Sequence, residues 1–190
     1  MKVAVTGGIC TGKSTVCKML SDEFGLPVFY SDIHAKIIAD TDDDVRQEVI
    51  KLLGEESYKD GKYDTRYVAD IVFNDKVKLS KLNDIFIPRV IEKYERFASR
   101  HELSFFESAI IFENNLQGKF DSVICTYCDP ATIIDRLRTR NGFNDDQIES
   151  RLKSQISPEL KAYLSNFVID TVNDDIKTKI NEFLTLYTQI

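Results

Sequence analysis

Residues 7–14 read G-G-I-C-T-G-K-S and satisfy the pattern G-x-x-x-x-G-K-[ST], which constrains the fold more than any other feature of this chain. A β-branched and apolar run at residues 2–6 precedes this glycine loop, and residues 13–24 after it carry apolar side chains at the helical period. Glycines let successive N–H groups approach a phosphate at the positive end of a helix dipole. Strand, glycine loop and helix in this order therefore predict a site for the phosphates of ATP or GTP.

Individual loop residues have distinct expected roles. Lys13 is expected to reach the β- and γ-phosphates, and Ser14 to ligate Mg²⁺. Nucleotide contacts are also expected from the neighbouring positions Gly8, Cys10, Thr11, Gly12 and Thr15. The loop alone does not distinguish a kinase from a switch GTPase or a motor.

Strand and helix patterns alternate along the rest of the chain. Further strands are expected at residues 27–30, 103–108, 121–128 and 167–170, and helices at 130–140, at 145–155 and at the C-terminus. Between Asp32 and Arg100 the pattern is mostly helical without a convincing strand, and Pro88 is expected in the first turn of a helix. The prediction is an α/β fold with a parallel sheet of about five strands, helices on both faces, and ligands bound at the carboxyl ends of the strands.

Length, composition and net charge indicate a single globular domain and argue against a membrane or nucleic-acid-binding protein. A chain of 190 residues with 43% hydrophobic residues suits one compact domain, and no apolar run is long enough to cross a bilayer. The N-terminus lacks the apolar stretch of a signal peptide, so we expect a cytoplasmic protein. The net charge of −6 provides no basic field for a nucleic acid. We expect no nucleic-acid or membrane partner, and we leave the oligomeric state open with a monomer favoured.

Cys125 and Cys128 form a C-x-x-C spacing, which also occurs in metal and redox sites. They continue an apolar run, and no second cysteine pair or nearby histidine accompanies them. A buried strand is therefore favoured over a metal or redox site.

The arginines near the C-terminal third favour a kinase. The N-K-x-D segment that guanine-specific switch proteins use is absent from the sequence. Arg136 and Arg140 are four residues apart, so they share a helix face and can point at one migrating phosphoryl group. The alternative is a solvated helix whose arginines pair with Asp135, Asp145 and Glu149, and the residues alone do not decide between the two.

Asp32 follows the second predicted strand, where an acceptor hydroxyl would approach the γ-phosphate. A carboxylate there can take up the hydroxyl proton during transfer. The alternative role is to cap the following helix, for which aspartate is well suited. His34 is a weaker candidate for the base.

Six segments recur in the order and spacing of one known family: V-T-G-G-I-C-T-G-K-S-T at residues 5–15, S-D-I-H-A-K at 31–36, D-G-K-Y-D-T-R-Y-V-A-D-I-V-F at 60–73, L-N-D-I-F-I-P-R-V at 82–90, I-I-F-E at 110–113, and R-L-x-x-R with R-L-x-x-Q at 136–140 and 151–155. Together they resemble the dephospho-CoA kinase family over nearly the whole chain. The resemblance implies phosphorylation of the ribose 3′-hydroxyl of dephospho-CoA by ATP with Mg²⁺, the last step of coenzyme A synthesis.

The resemblance also implies a division of the chain. A P-loop kinase core is expected at residues 1–31, 102–139 and 162–190, a helical acceptor-binding insertion at 32–101, and a helical lid at 140–161.

The resemblance also implies a role for each residue that matches a position of the family pattern. Asp32 would be the acceptor-side carboxylate, Lys13 and Ser14 the phosphate and metal ligands, and Arg140 the lid cation near the nucleotide, with Arg136 beside it. The expected substrate-binding residues are Asp32, Lys36, Arg66, Pro88 and Glu113. Arg66 and the aromatic residues around it are the best candidates for holding the pantetheine arm, with ordinary helix packing as the alternative.

Several positions depart from the family pattern. Cys10 and Thr11 stand where Gly-Ser is usual, Ile87 replaces a histidine before Pro88, and Lys36 replaces an arginine. The usual Asp-Val-Pro is Glu107-Ser108-Ala109 here, which lengthens the carboxylate expected near the metal, and Thr171 replaces an asparagine. Another small-molecule or nucleoside monophosphate kinase of this fold is the alternative enzyme, and an ATP-binding regulatory module is the alternative outside enzymes.

Overall fold

The structure is a computed structural model that describes residues 1–187, except for the side chains of Arg140, Asn141 and Tyr187. In chain order the strands are β1 (Lys2–Gly7), β2 (Val28–Tyr30), β3 (Tyr58–Lys59), β4 (Lys62–Tyr63), β5 (Ser104–Glu107), β6 (Ser122–Tyr127) and β7 (Phe167–Asp170). The helices are α1 (Lys13–Asp22), α2 (Ser31–Thr41), α3 (Asp43–Leu53), α4 (Thr65–Val72), α5 (Lys76–Ala98), α6 (Pro130–Asn141), α7 (Asp145–Lys153), α8 (Pro158–Leu164) and α9 (Ile176–Tyr187).

The chain divides into two compact units. The first comprises Met1–Phe29 and Ala98–Ile190, and the second comprises Tyr30–Phe97.

A five-stranded sheet in the order β2-β5-β1-β6-β7 forms the centre of the first unit. β1 pairs in parallel with β5 and β6, and β6 pairs in parallel with β7. The central strands are apolar without alternation because helices cover both faces of such a sheet, and Val3, Ala4 and Val5 are fully buried. The predicted parallel sheet of about five strands is confirmed.

Parallel pairing brings the carboxyl ends of the strands to one edge. Val5 of β1 lies level with Glu107 of β5, and Gly7 lies level with Thr126 of β6. The glycine loop leaves β1 at this edge. On one face of the sheet, the ring of Phe183 from α9 lies 6.5 Å from that of Phe105 and 5.5 Å from that of Phe167.

The second unit is helical but contains a small antiparallel hairpin, β3–β4. The expectation that this stretch lacks a strand is therefore wrong. Asp60 and Gly61 connect the strands with φ of 50° and 77°, the two positive values that a two-residue hairpin turn requires. The Asp-Gly pair was the sequence signal for this hairpin.

Pro88 lies in the interior of α5 and not in a first helical turn, so that prediction is wrong. A proline there removes one N–H donor and crowds the preceding turn, at a cost of about 3 kcal/mol. Burial of Leu82, Val90, Ile91 and Tyr94 along the same helix offsets this cost. The helical spacing of buried apolar residues continues across Pro88, and this pattern outweighs the local preference of proline for a helix start.

The C-x-x-C segment forms part of the sheet, as predicted. Cys125 lies in β6, Cys128 follows the strand, and both side chains are fully buried. Burial raises the pKa of the Cys125 thiol to about 11 and also raises the pKa of Cys128. Both thiols are therefore protonated near neutral pH.

Helix α8 was not predicted. Ser157 caps it through a side-chain bond to the Leu160 N–H, and Pro158 occupies its first turn. The Ser-Pro pair was the signal for this helix start. Within residues 1–187, no helix combines the length and the apolar character that crossing a bilayer requires.

Candidate active site

At two positions of the glycine loop the backbone has a positive φ, and a side chain there would clash with neighbouring atoms. Gly7 and Gly12 have φ of 146° and 97°. A Cβ on Gly7 would lie 2.4 Å from the carbonyl oxygen of Thr126, and one on Gly12 would lie 2.8 Å from the Cγ2 of Thr171. Glycine is thus required at both ends of the loop.

Replacing Gly12 by alanine is expected to lower the free energy of unfolding by about 1–3 kcal/mol, because alanine strains the left-handed backbone. It should also weaken ATP binding, since Gly12 is the N-cap residue of α1. Urea denaturation and nucleotide titration measure the two effects. Gly118→Ala is the matched control, because no atom beyond the neighbouring residues lies within 4 Å of a Cβ there. Equal behaviour of the two variants would contradict this account of the loop.

Lys13, the first residue of α1, turns its ammonium group onto the glycine loop. Its Nζ donates hydrogen bonds to the carbonyl oxygens of Gly7 at 3.1 Å and Gly8 at 2.8 Å. Ser14 and Thr15 follow in the first turn of α1, where the Thr15 N–H donates to the carbonyl oxygen of the N-cap residue Gly12 at 3.0 Å. The predicted nucleotide contacts from Gly8 to Thr15 thus lie on one continuous loop and helix start.

Hydroxyl groups support the loop from the sheet side. Thr11 and Thr126 are fully buried, and their Oγ1 atoms lie 2.8 Å apart. Thr11 Oγ1 also lies within hydrogen-bond distance of the Gly8 carbonyl oxygen, at 2.8 Å. Thr171 donates its hydroxyl to the Thr11 carbonyl at 2.8 Å or to the Tyr127 carbonyl at 3.2 Å. Thr126 and Thr171 had no assigned role in the sequence, because their neighbours on the loop are more than 100 positions away.

Arg136 of α6 lies against the same loop. Its Nη1 donates to the Cys10 carbonyl at 2.9 Å and lies 3.6 Å from Cys128 Sγ and 3.5 Å from Thr171 Oγ1. The guanidinium therefore sits near the expected nucleotide phosphates, while direct nucleotide contact stays a prediction. Arg138 pairs with Asp145 at 2.9 Å in an exposed ion pair, so the surface-pair alternative holds for that arginine. The side chain of Arg140 lies outside the described residues.

Cys10 has a φ of 59°, which is unusual for a residue other than glycine. Ile9 and Cys10 pack against a buried apolar cluster of Cys128, Ile133, Leu137 and Ile148. This packing connects the loop to α6 and α7 and helps hold Cys10 in its strained conformation.

Glu113 and Lys161 form a buried ion pair beside the loop. Lys161 is fully buried, and its Nζ lies 2.7 Å from Glu113 Oε1 and donates to the Ala109 carbonyl at 2.6 Å. Glu113 Oε1 also accepts the Ile156 N–H at 2.9 Å. Glu113 thus anchors the chain after α7, and its predicted substrate contact stays a prediction. Lys161 carried no sequence signal, because its partner is 48 positions away.

Glu107 ends β5 as a buried carboxylate. Burial, and secondly the charge of Glu107, raise the pKa of the Cys17 thiol in α1 well above its usual range, whereas Lys13 acts in the opposite direction. The charges of Glu107, the carboxylate expected near the metal, and of Lys13 therefore both act on Cys17 in the second turn of α1.

The acceptor-side candidates other than Glu113 belong to the second unit. Asp32 and Lys36 are exposed on α2, and the N-cap residue of that helix is Tyr30, without a side-chain cap bond. The cap role considered for Asp32 is therefore not the one observed. His34 is half-buried, and burial followed by the charge of Lys93 lowers its pKa.

The remaining acceptor-side candidates lie on α4 and α5. Arg66 is exposed in the first turn of α4, and Pro88 lies within α5. Tyr63 packs edge-on against Tyr58 and Phe86, so the helix-packing alternative describes this tyrosine.

Comparisons with known proteins agree on one family. A sequence profile of dephospho-CoA kinases matches residues 1–177. A dephospho-CoA kinase from Bacteroides fragilis (strain YCH46) is 33% identical over 189 residues, covering 98% of this chain and 91% of the relative. A dephospho-CoA kinase from Listeria monocytogenes serotype 4b is also 33% identical, covering 96% of this chain and 94% of the relative.

A crystal structure of a Thermus thermophilus protein superposes on this chain with a TM-score of 0.81 and 25% identity. The alignment covers 97% of this chain and 96% of the other. The two proteins thus share the arrangement of strands and helices.

Proposed function

The chain belongs to the dephospho-CoA kinase family, and we propose that it transfers the γ-phosphate of ATP to the ribose 3′-hydroxyl of dephospho-CoA, giving coenzyme A and ADP. The observation that carries the proposal is the glycine loop between β1 and α1, with the Lys13 ammonium folded onto it. Phosphoryl transfer is catalysed mainly by positioning and by cations on the migrating charge, which such a loop supplies.

On the ATP side, Lys13 exchanges the loop carbonyls for the β- and γ-phosphate oxygens. Gly8, Cys10, Thr11, Gly12 and Thr15 surround the phosphates through the loop backbone. Arg136 supports this arrangement by holding the Cys10 carbonyl, and Arg140 supplies the lid cation near the nucleotide. These cations stabilise negative charge that develops on the transferred group.

The residues present fit a Mg²⁺ ion. Ser14 offers a hydroxyl at the start of α1, and Glu107 offers a buried carboxylate at the carboxyl end of β5, next to β1. Mg²⁺ prefers oxygen ligands and usually takes only one or two from the protein, with phosphates and waters completing the set. When bound, the ion neutralises phosphate charge during transfer.

On the acceptor side, Asp32 accepts the proton of the ribose hydroxyl as the oxygen attacks the γ-phosphorus. Its exposure on α2 supports this role, because a substrate can reach it. Lys36, Arg66, Pro88 and Glu113 complete the proposed contacts to dephospho-CoA.

The proposal includes no macromolecular partner. The net charge of −6 supports the exclusion of nucleic acid. Action as a monomer in the cytoplasm stays a prediction.

ADP release with different acceptors tests the proposal. We expect turnover with dephospho-CoA to exceed turnover with AMP, shikimate or no acceptor. Faster turnover on AMP would favour a nucleoside monophosphate kinase, and the absence of acceptor-dependent turnover would favour a regulatory ATP-binding module.

A further inference from the structure

Thr171, the first residue after β7, contacts the peptide bond that leads into Gly12 of the glycine loop. Its hydroxyl oxygen lies 2.8 Å from the Thr11 carbonyl oxygen and 3.2 Å from the Tyr127 carbonyl oxygen. The Tyr127 oxygen already accepts the Thr171 N–H at 2.9 Å. Among the described residues, no other N–H or O–H group contacts the Thr11 carbonyl. The hydroxyl proton therefore belongs on the Thr11 carbonyl, the closer and otherwise unpaired acceptor.

This hydrogen bond sets the direction of the next N–H group of the loop. A trans peptide is planar, so its C=O and its N–H point in opposite directions. Holding the Thr11 carbonyl on Thr171 therefore turns the Gly12 N–H to the other side of the loop. Gly12 is the N-cap residue of α1, and N–H groups at such a helix start bind phosphate oxygens. The bond engages only a carbonyl, so it does not compete with phosphate.

Thr171 also packs against the backbone of Gly12. A Cβ on Gly12 would lie 2.8 Å from Thr171 Cγ2 and 3.0 Å from Thr171 Oγ1. The side chain thus lies against the α-carbon of Gly12 while its hydroxyl holds the preceding carbonyl. Both contacts restrict rotation of the peptide between Thr11 and Gly12.

The chain around Thr171 is held on both sides. The preceding residue, Asp170, ends β7 and lies level with Tyr127 of β6. The Asp170 carboxylate accepts the N–H groups of Val172 and Asn173 at 3.0 and 3.1 Å. Thr171 is thus fixed between a paired strand and a hydrogen-bonded turn, as a side chain that positions another segment must be.

We propose that Thr171 is a positioning residue for ATP, whose hydroxyl holds the peptide between Thr11 and Gly12 so that the Gly12 N–H faces the phosphates. Without the hydroxyl, the buried Thr11 carbonyl is left unpaired, which favours other orientations of this peptide. The apparent affinity for ATP then falls with the populated fraction of the binding orientation. The inference rests on the proposed function only in requiring ATP at this loop.

Binding of a non-hydrolysable ATP analogue, measured by calorimetry without an acceptor, tests the proposal. Thr171→Val removes the hydroxyl and keeps the branched shape that packs on Gly12. It should bind the analogue about 3- to 10-fold more weakly, the range for loss of one neutral hydrogen bond. Thr171→Ser keeps the hydroxyl and should bind within about 2-fold of the wild type, because the hydrogen bond is retained.

Thr185→Val is the matched control, because Thr185 is an exposed threonine of α9 whose hydroxyl donates to the Asn181 carbonyl at 2.9 Å. It loses the same kind of hydrogen bond outside the glycine loop and should bind the analogue like the wild type. Thermal unfolding of each variant verifies that the fold is intact. Thr171→Ala, with the same expected direction, replaces Thr171→Val if that variant does not fold.

Steady-state kinetics separate positioning from a purely structural role. In Thr171→Val the KM for ATP should rise, while the KM for dephospho-CoA should not change, because only the nucleotide contacts the affected peptide. A lower thermal stability with wild-type affinity for the analogue would make Thr171 a structural residue and overturn the proposal.

An equal loss of affinity in Thr171→Val and Thr171→Ser would also overturn it, since the hydroxyl would then have no part in binding. If the variants bind the analogue as expected but dephospho-CoA is not phosphorylated, the proposed acceptor fails and this inference stands. If dephospho-CoA is phosphorylated while Thr171→Val binds the analogue like the wild type, the proposed function stands and this inference fails.

Discussion

Replacing Asp32 by asparagine is expected to lower kcat with dephospho-CoA about 10²-fold or more, the usual scale for a positioned general base. Asparagine keeps the size of the side chain but cannot accept the hydroxyl proton. The KM for ATP should change little, because the proposed ATP contacts belong to the loop after β1. Steady-state kinetics with each substrate varied in turn measure both constants.

Asp44→Asn is the matched control for this variant. Asp32 and Asp44 are the second residues of α2 and α3, and both are exposed. Each substitution removes the same favourable interaction with a helix dipole, about 0.3–1 kcal/mol. Wild-type kcat in Asp32→Asn, or an equal loss in Asp44→Asn, would remove the base role from Asp32.

Replacing Lys161 by methionine is expected to lower the free energy of unfolding by about 3–5 kcal/mol, the cost of breaking a buried ion pair from one side. Lys161 is fully buried, and its loss leaves the Glu113 carboxylate without a cation. Glu113 Oε2 is already buried without a hydrogen-bond partner among the described residues, and Oε1 would keep the Ile156 N–H as a donor but lose its cation. Urea denaturation gives the change directly.

A second variant identifies the cause of this loss. Adding Glu113→Gln to Lys161→Met removes the uncompensated charge and should restore part of the lost stability. Lys153→Met breaks the exposed pair with Glu149 and should change stability by less than about 1 kcal/mol. Similar losses in Lys161→Met and Lys153→Met would show that burial does not set the strength of the Glu113–Lys161 pair.

The glycine loop was predictable because everything that defines it is local. A strand, two glycines with special backbone angles, and an amphipathic helix occur within residues 2–24. The parallel sheet followed from apolar runs long enough to be buried on both faces. In contrast, Pro88 was misjudged because the preference of proline for a helix start was given more weight than the apolar periodicity that continues across it. The Asp60-Gly61 hairpin was missed because the helical pattern around it was given more weight than its turn signal.

The interior of the candidate site was less predictable, because its contacts join distant positions. Gln155 reaches Ile9, Thr171 reaches Thr11, and Arg136 reaches the Cys10 carbonyl, each across more than 100 residues. Arg136 was singled out by its helical spacing from Arg140, yet its observed bond is to the loop backbone. Side-chain chemistry predicts which residues bind phosphate, while the residues that shape the loop depend on the folded chain.

Phosphorus-31 NMR of the reaction between ATP and dephospho-CoA tests whether the γ-phosphate is transferred to the ribose 3′-hydroxyl. We expect a new phosphomonoester signal from the ribose 3′-phosphate of coenzyme A, which grows in step with ADP. Appearance of ADP with inorganic phosphate and no new phosphomonoester, or a phosphate at another position of dephospho-CoA, would contradict it.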